Sequence, residues 1–172
     1  MAHQLEIVNN VAQMFSVKKT PWHGLGIILE EPPTAEEAIV AAGLNWTVSK
    51  RQIHVPQSVD QAPSRINNHY AIVRDSDEKC FGIMGKDWQP LQNKDAFKFF
   101  DPFIQAGEAT YETAGSLFGG ERIWVLAKIN RKPIEVVKGD YVEKFILLSN
   151  SHSGGVAVKG GLTPIRVVCN NT

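Results

Sequence analysis

The chain has 172 residues, of which 43% are hydrophobic and 21% are charged, and its 18 basic residues equal its 18 acidic residues. This composition excludes a disordered chain and predicts one globular domain over residues 1–172. No apolar run reaches the roughly 18 residues that a membrane span needs. The N-terminal segment, MAHQLEIVNNVAQMF, lacks the basic and apolar regions of a secretory signal. We therefore expect a cytoplasmic protein.

The charges are distributed unevenly along the chain. Residues 1–43 carry a net charge of −3, whereas residues 121–172 carry eight lysines and arginines against four acids, a net charge of +4. Clustered basic side chains bind polyanions because they release counterions from phosphate backbones. Ordinary solvated strand surfaces are also charged, so the basic C-terminal third leaves both interpretations open.

The first elements in chain order are an arm, a loop and a helix. Residues 1–20 show weak periodicity and are predicted to form an N-terminal arm with a short helix. PWHGLG at 21–26 is typical of a loop because it contains one proline and two glycines. TAEEAIVAAG at 34–43 is the clearest helix. Thr34 and Glu37 have the spacing of a capping box, and the final glycine supplies a left-handed stop.

A strand, a hairpin and a second helical region follow. NWTVSKRQIHV at 45–55 alternates as a strand does, and residues 69–85 contain two apolar runs around a polar tip, which predicts a β-hairpin. Residues 94–107 have helical periodicity, with Asn93 as the expected cap. Pro102 is expected to kink or end the regular part of this helix, because proline lacks the N–H donor that the helix requires.

The C-terminal third is predicted to be mostly strand. Residues 111–129 have the pattern of a second hairpin with its turn near Gly119 and Gly120, and further strands are expected at 144–150 and 164–170, joined by a glycine-rich segment. Hairpin-length connections favour antiparallel pairing. The predicted fold class is therefore α+β, a largely antiparallel β-sheet of hairpins with two or three helices packed on it.

The sequence offers little support for a metal site. The five histidines have no metal-ligand spacing, and the two cysteines form no Cys-x-x-Cys pair. We expect Cys80 and Cys169 to be reduced, buried thiols. The acidic cluster of Asp75, Asp77 and Glu78 lies at a predicted hairpin tip, where carboxylates are usually solvated rather than gathered around a metal.

No enzymatic motif is complete in this chain. His152 is surrounded by serines, but a nucleophilic triad needs its base to come from elsewhere in the fold. The glycine-rich segments at 115–120 and 154–161 match neither the phosphate-binding loop of nucleotide hydrolases nor the dinucleotide fingerprint. The second segment, with Lys159, has two interpretations: a phosphate-contacting loop or a plain connection between strands. We expect no cofactor and no enzyme activity.

Basic and aromatic residues alternate along several predicted strands. Single-stranded nucleic acid binders combine cationic grooves with aromatic rings on which bases stack. Trp46 and Trp124 lie within strand patterns and are predicted to be core residues, whereas Trp88 is the best candidate for an exposed ring. The predicted nucleic-acid-binding residues are Lys50, Arg51, Lys86, Trp88, Arg122, Lys128, Arg131, Lys159 and Arg166.

Several motifs together resemble the phage/plasmid-like proteins built on a domain of unknown function that occurs in phages, prophages and plasmids. The motifs are PWHGLG at 21–26, WQPLQN with the following DAF at 88–97, YETAGSLFGGERIWVLAKI at 111–129, LLSNSHSG at 147–154 and TPIRVVCNNT at 163–172. The resemblance implies a phage or plasmid context. It also implies a C-terminal helical extension, which this sequence does not contain.

The predicted arrangement of a hairpin-rich sheet with a packed helix is also similar to the core of single-strand annealing proteins. This similarity implies a homo-oligomer, a ring or filament, that binds and anneals single-stranded DNA without ATP. The alternative is an interaction protein that binds a host defence or replication protein through the loop at 21–26. The sequence leaves both hypotheses open, and neither involves a membrane.

Overall fold

The computed structural model describes residues 4–19, 21, 23–58 and 61–167, with side chains described as far as Ile165. The elements in chain order are β1 (Ile7–Val8), β2 (Val11–Ala12), β3 (Met14–Val17), β4 (Ile27–Leu29), α1 (Ala35–Ala41), β5 (Val48–Val55), β6 (Ser64–Arg74), β7 (Cys80–Gly85), α2 (Asn93–Lys98), α3 (Asp101–Gln105), β8 (Ala109–Leu117), β9 (Arg122–Ile129), β10 (Ile134–Val137), β11 (Asp140–Ser151) and β12 (Lys159–Val167). Within these residues, no helix is both long enough and apolar enough to cross a bilayer.

The strands form one large sheet and two small ones. The large sheet runs β10-β11-β9-β8-β3-β4, and β12 also pairs with β11. The small sheets are β5-β6-β7 and the β1-β2 hairpin. Among the described strands, pairing is antiparallel except between β3 and β4, which are parallel. The protein is therefore α+β with mostly antiparallel sheets, as the sequence predicts.

Helix α1 begins and ends as its sequence predicts. Thr34 accepts a hydrogen bond from the Glu37 backbone N–H, and the Glu37 carboxylate accepts one from the Thr34 N–H at 2.8 Å, which completes the capping box. Gly43 follows the helix with φ of +66°. Leu44 N–H donates to Ile39 O, so the helix terminates in a Schellman-type arrangement.

The predicted helix at 94–107 is divided into α2 and α3. The break falls at Phe99 and Phe100, and Pro102 lies in the first turn of α3, where its missing N–H costs nothing. The prediction that Asn93 caps the helix is wrong. Gln92 is the N-cap without a side-chain bond, while Asn93 is buried and its amide donates to the Leu44 carbonyl at 3.0 Å.

The N-terminal arm contains strands rather than the predicted short helix. Phe15 in β3 pairs with Ala114 of β8 and is completely buried. Pairing with a strand about one hundred residues away determines this conformation, and local periodicity carries no signal of such a partner. The arm is thus an integral part of the large sheet.

Both predicted hairpins form, and the glycine pair Gly119-Gly120 lies in the connection between β8 and β9. Strand β10, which the sequence patterns do not predict, pairs with the beginning of β11.

Cys80 is exposed rather than buried as predicted, because it begins β7 at the outer edge of the small sheet. Cys169 lies outside the described residues.

The hydrophobic core lies between the helices and one face of the large sheet. Ala38, Phe97 and Phe100 pack with Tyr111, Val125 and Leu148 from the central strands, and Phe103 and Ile104 of α3 pack at its margin. The Tyr111 hydroxyl donates to the Phe97 carbonyl at 3.1 Å, so the polar end of this buried ring is satisfied.

Candidate nucleic-acid interface

The two faces of the large sheet differ in chemistry, and β9 shows the difference most clearly. Ile123, Val125 and Ala127 are buried toward the helices. Because side chains alternate along a strand, Trp124, Leu126 and Lys128 point to the opposite side, where they are half-buried. We call this side the outer face. On β8, β9, β11 and β12 its residues include Thr113, Gly115, Arg122, Trp124, Leu126, Lys128, Glu143, Phe145, Leu147, Ser149, Lys159 and Thr163.

One cross-strand row of the outer face combines an aromatic ring with a lysine. Gly115, Trp124, Ser149 and Lys159 are successive partners on β8, β9, β11 and β12. A Cβ at position 115 would overlap the Trp124 ring, so glycine leaves the space that the indole occupies. Lys159 lies two strands from Trp124, about 10 Å along the row, and it is exposed.

Two further basic residues lie on the same face. Arg122 is exposed and its guanidinium lies 4.9 Å from the centre of the Phe118 ring. Lys128 donates to the Glu143 carboxylate, so part of its charge is compensated within the protein. Burial raises the pKa of the neighbouring Glu112 carboxyl, an effect that Lys128 opposes. Arg122 and Lys159 are therefore the better placed cations for an external phosphate.

Four of the predicted residues lie instead at the small β5-β6-β7 sheet. Lys50 Nζ donates to the carbonyls of Lys86 and Trp88 at 2.6 and 2.8 Å and lies over the Tyr70 ring. Lys50 is thus engaged, whereas Lys86 is exposed. Trp88 is half-buried rather than exposed, and its indole lies beside Gly154 in the segment that leads to Lys159.

Arg51 pairs with the acidic hairpin tip. Its guanidinium contacts Asp75 at 3.5 Å and Glu78 at 3.0 Å. Asp75 also accepts from Ser49 and Thr47, and these bonds lower the pKa of its carboxyl. The tip therefore serves as a set of ion-pair partners. Over residues 4–19, 21, 23–58 and 61–167, no group of three potential ligands is arranged to hold a metal ion.

The last two predicted residues lie near the other end of the large sheet. Arg131 is exposed in the connection between β9 and β10. Arg166 pairs with Val142, but its side chain lies outside the described part of the chain. The structure thus brings Arg122, Lys128 and Lys159 together on one face and places Lys50, Arg51, Lys86 and Trp88 at the small sheet.

The prediction that Trp124 is a core residue is wrong, because the structure places it half-buried on the outer face. The sequence of β9 contains a signal for the exposure of Trp124. Ile123, Val125 and Ala127 form one apolar set along the strand, whereas the alternating set that contains Trp124 ends in Lys128.

His152 is completely buried. Burial, with a smaller contribution from Arg74, lowers the pKa of its imidazole to about 4. It is inaccessible to a substrate and cannot act as an exposed base.

The fold and this face define an α+β protein with an aromatic and basic sheet surface. Residues 80–172, more than half of the chain, match the family described as "Domain of unknown function (DUF932)", and the chain belongs to this family. The predicted resemblance to a family built on a domain of unknown function is confirmed over these residues. They include Arg122, Trp124 and Lys159. Comparison with curated proteins and with solved structures found no match.

Proposed function

We propose that this protein binds single-stranded DNA on its outer face and, as a cytoplasmic homo-oligomer, anneals complementary strands without ATP. The observation that supports this function best is the row from Gly115 to Lys159, in which the half-buried Trp124 lies two strands from the exposed Lys159. The exposed Arg122 lies two positions from Trp124 on the same strand. Aromatic rings bind bases of any sequence, and cations on either side neutralise the backbone. The predicted similarity to single-strand annealing proteins is part of this proposal.

Oligomerisation compensates for the small number of cations on one copy. A single outer face offers Arg122, Lys159 and the partly compensated Lys128. Nucleic acid affinity increases with the number of neutralised phosphates. Copies arranged side by side align these faces into a longer basic track, which compensates for the zero net charge of the chain. Annealing then requires only neutralised backbones and accessible bases.

The first prediction concerns salt dependence. Affinity for a labelled deoxythymidine oligonucleotide, measured by fluorescence anisotropy, is expected to fall steeply with salt, with a logarithmic slope of about −0.7 per neutralised phosphate. Lys159→Ala is expected to make this slope shallower and to weaken binding to all sequences equally, because phosphate contacts carry no base information. Lys144→Ala is the matched control, since Lys144 is exposed on the same sheet but alternates to the other face.

A salt slope that Lys159→Ala and Lys144→Ala change equally would contradict the outer face as the binding surface. A strictly monomeric species by light scattering, with and without DNA, would contradict annealing. Absence of DNA affinity at physiological salt would overturn the proposal as a whole. The predicted protein-partner function would then be favoured, because Leu25 in the loop at 21–26 and Ile27 and Ile28 directly after it are exposed.

The second prediction separates the two tryptophans. Trp124→Ala is expected to cost about 1–3 kcal/mol of binding free energy per stacked base and to leave the salt slope nearly unchanged. Trp124→Phe keeps a ring on the outer face and is expected to retain most of the affinity. Trp88→Ala is the comparison, measured in the same anisotropy titration. If Trp88→Ala weakens binding and Trp124→Ala does not, the site lies at the small sheet.

A further inference from the structure

A cavity of about 740 Å³ lies between α1, α2 and the tip of the β6–β7 hairpin. Its apolar lining comes mainly from Ile39, Val40, Trp46 and Phe97. Cavities of about 300–1,000 Å³ with mostly apolar walls and a few polar groups are typical of small-ligand sites. None of its lining residues belongs to the outer face, so this cavity is separate from the proposed DNA surface.

Trp46 forms a rigid wall of the cavity. Its Nε1–H donates to the Gly43 carbonyl at 3.0 Å, which fixes the ring in its plane. The Arg74 guanidinium lies 5.0 Å from the ring centre, and the rings of Phe81 and His152 lie at 5.9 and 5.1 Å. These contacts hold the indole from within the protein, and Trp46 is also one of the residues that line the cavity. A flat ligand can therefore stack on it without ordering a mobile side chain.

The polar part of the cavity wall has unused hydrogen-bonding groups. Asn45 and Ser76 line the cavity and are exposed, and their side chains make no hydrogen bond to the residues that the structure describes. Asp75, by contrast, is occupied by Thr47, Ser49 and Arg51. An amide and a hydroxyl supply both donors and acceptors, which suits a ring with polar atoms in its plane.

The charges around the cavity nearly cancel. The lining contains three carboxylates, from Glu36, Asp75 and Asp101, and two ammonium groups, from Lys94 and Lys98. Asp75 is paired with Arg51 at 3.5 Å, and Lys98 is paired with Asp95 at 3.0 Å. A strongly charged ligand gains little from such a lining, because attraction and repulsion nearly cancel. An uncharged, flat, heteroaromatic ligand suits these walls better.

From these observations we propose that the cavity binds a nucleobase stacked against Trp46 with its polar edge toward Asn45 and Ser76. Stacking on an aromatic side chain with hydrogen bonds to the edge of the ring is the general way in which proteins hold unpaired bases. The base has two sources, a free nucleotide or an unstacked base of a DNA strand. The proposal does not depend on DNA binding at the outer face.

The test is an NMR titration of the labelled protein with deoxyadenosine, its 5′-monophosphate and ribose 5-phosphate. Deoxyadenosine and the monophosphate are expected to shift the Trp46 indole N–H signal with similar dissociation constants, and ribose 5-phosphate is expected to leave it unchanged. A short deoxyadenosine oligonucleotide is titrated into the Trp124→Ala variant, which lacks the outer-face ring, and binding is read from the Trp46 signal. An affinity at least tenfold higher than that of deoxyadenosine would identify DNA as the source of the base; a smaller difference would identify the free nucleotide.

Val40→Glu tests the location, with Val136→Glu as the matched control, because the two valines are 62% and 61% exposed and Val136 lies on β10. The carboxylate at position 40 is expected to weaken nucleoside binding about tenfold, within the range that one stacked base contributes, and the change at position 136 is expected to have no effect. Equal effects of the two variants, binding of ribose 5-phosphate, or no shift at about 1 mM nucleoside would overturn the proposal. Trp124→Ala, which removes the outer-face ring, is expected to leave nucleoside binding intact.

Discussion

Arg74→Ala is expected to lower the free energy of unfolding by about 3–5 kcal/mol, the range for removing one partner of a buried ion pair. Arg74 Nη1 donates to Glu6 Oε1 at 2.8 Å, and the side chains are only 8% and 5% exposed. Its Nε and Nη2 donate to Asp77 at 2.8 and 2.6 Å. Without Arg74, the Ser116 hydroxyl is the only hydrogen-bond donor to the Glu6 carboxylate among the described residues, so this carboxylate remains buried and uncompensated.

Urea unfolding followed by tryptophan fluorescence measures this effect. Arg65→Ala is the control, since Arg65 lies on the same strand but is exposed, and a change within about 0.5 kcal/mol is expected there. Adding Glu6→Gln to Arg74→Ala is expected to recover part of the loss, because the second change removes the uncompensated charge. A double variant less stable than Arg74→Ala alone would show that the buried carboxylate is not the source of the loss.

The Arg74–Glu6 pair also shows where sequence reasoning reaches its limit. Its partners are 68 positions apart and join the N-terminal segment to the small sheet. Nothing local to either residue predicts that contact. The capping box of α1 and the Gly119-Gly120 turn were predictable, because each depends on a few neighbouring residues with defined backbone requirements. The conformation of the N-terminal arm depends on β8 and was predicted wrongly.

The candidate interface was also predictable only in part from the sequence. The sequence places Arg122 two positions before Trp124, and it places Lys128 and Lys159 in the basic C-terminal third. Whether they share a face depends on strand order and register across β11, which these local patterns do not contain. Arg51 was equally plausible from sequence, but folding places it against Asp75 and Glu78. The ion pairs within the protein thus distinguish a cation with a structural role, such as Arg51, from cations that can contact a ligand.

His152 should make the protein less stable as the pH falls from about 7 to 5. Asn93 Nδ2 donates to the carbonyls of Leu44 and Trp46 at 3.0 and 3.4 Å, so its Oδ1 faces His152 Nε2 at 3.0 Å. Nε2 is therefore the protonated nitrogen in the neutral ring. Nδ1 is buried without a partner among the described residues. A proton on Nδ1 would create a buried cation close to Arg74.

The direction of this pH effect follows from the protonation of His152 in the folded and the unfolded chain. The folded-state pKa of His152 is lowered from 6.5 to about 4, mainly by burial and further by Arg74. Above pH 6.5 the ring is neutral in both states and contributes no pH dependence. Below it the unfolded chain binds a proton that the folded chain does not, so the free energy of unfolding falls by about 1.4 kcal/mol per pH unit. The expected loss is about 2 kcal/mol between pH 6.5 and 5, and the decline ends near pH 4.

His152→Phe keeps an aromatic ring against Trp46 and Phe81, whose ring centres lie 5.1 and 5.7 Å from that of His152, and removes the titrating group. The variant loses the bond to Asn93, so its stability at neutral pH is expected to fall by about 1–3 kcal/mol. Its decline between pH 7 and 5 is nevertheless expected to be shallower than that of the unsubstituted protein. Urea unfolding at half-unit pH steps gives both curves, and their difference isolates His152 because the carboxylates titrate in both proteins. Parallel curves for the two proteins would contradict a buried neutral histidine at this position.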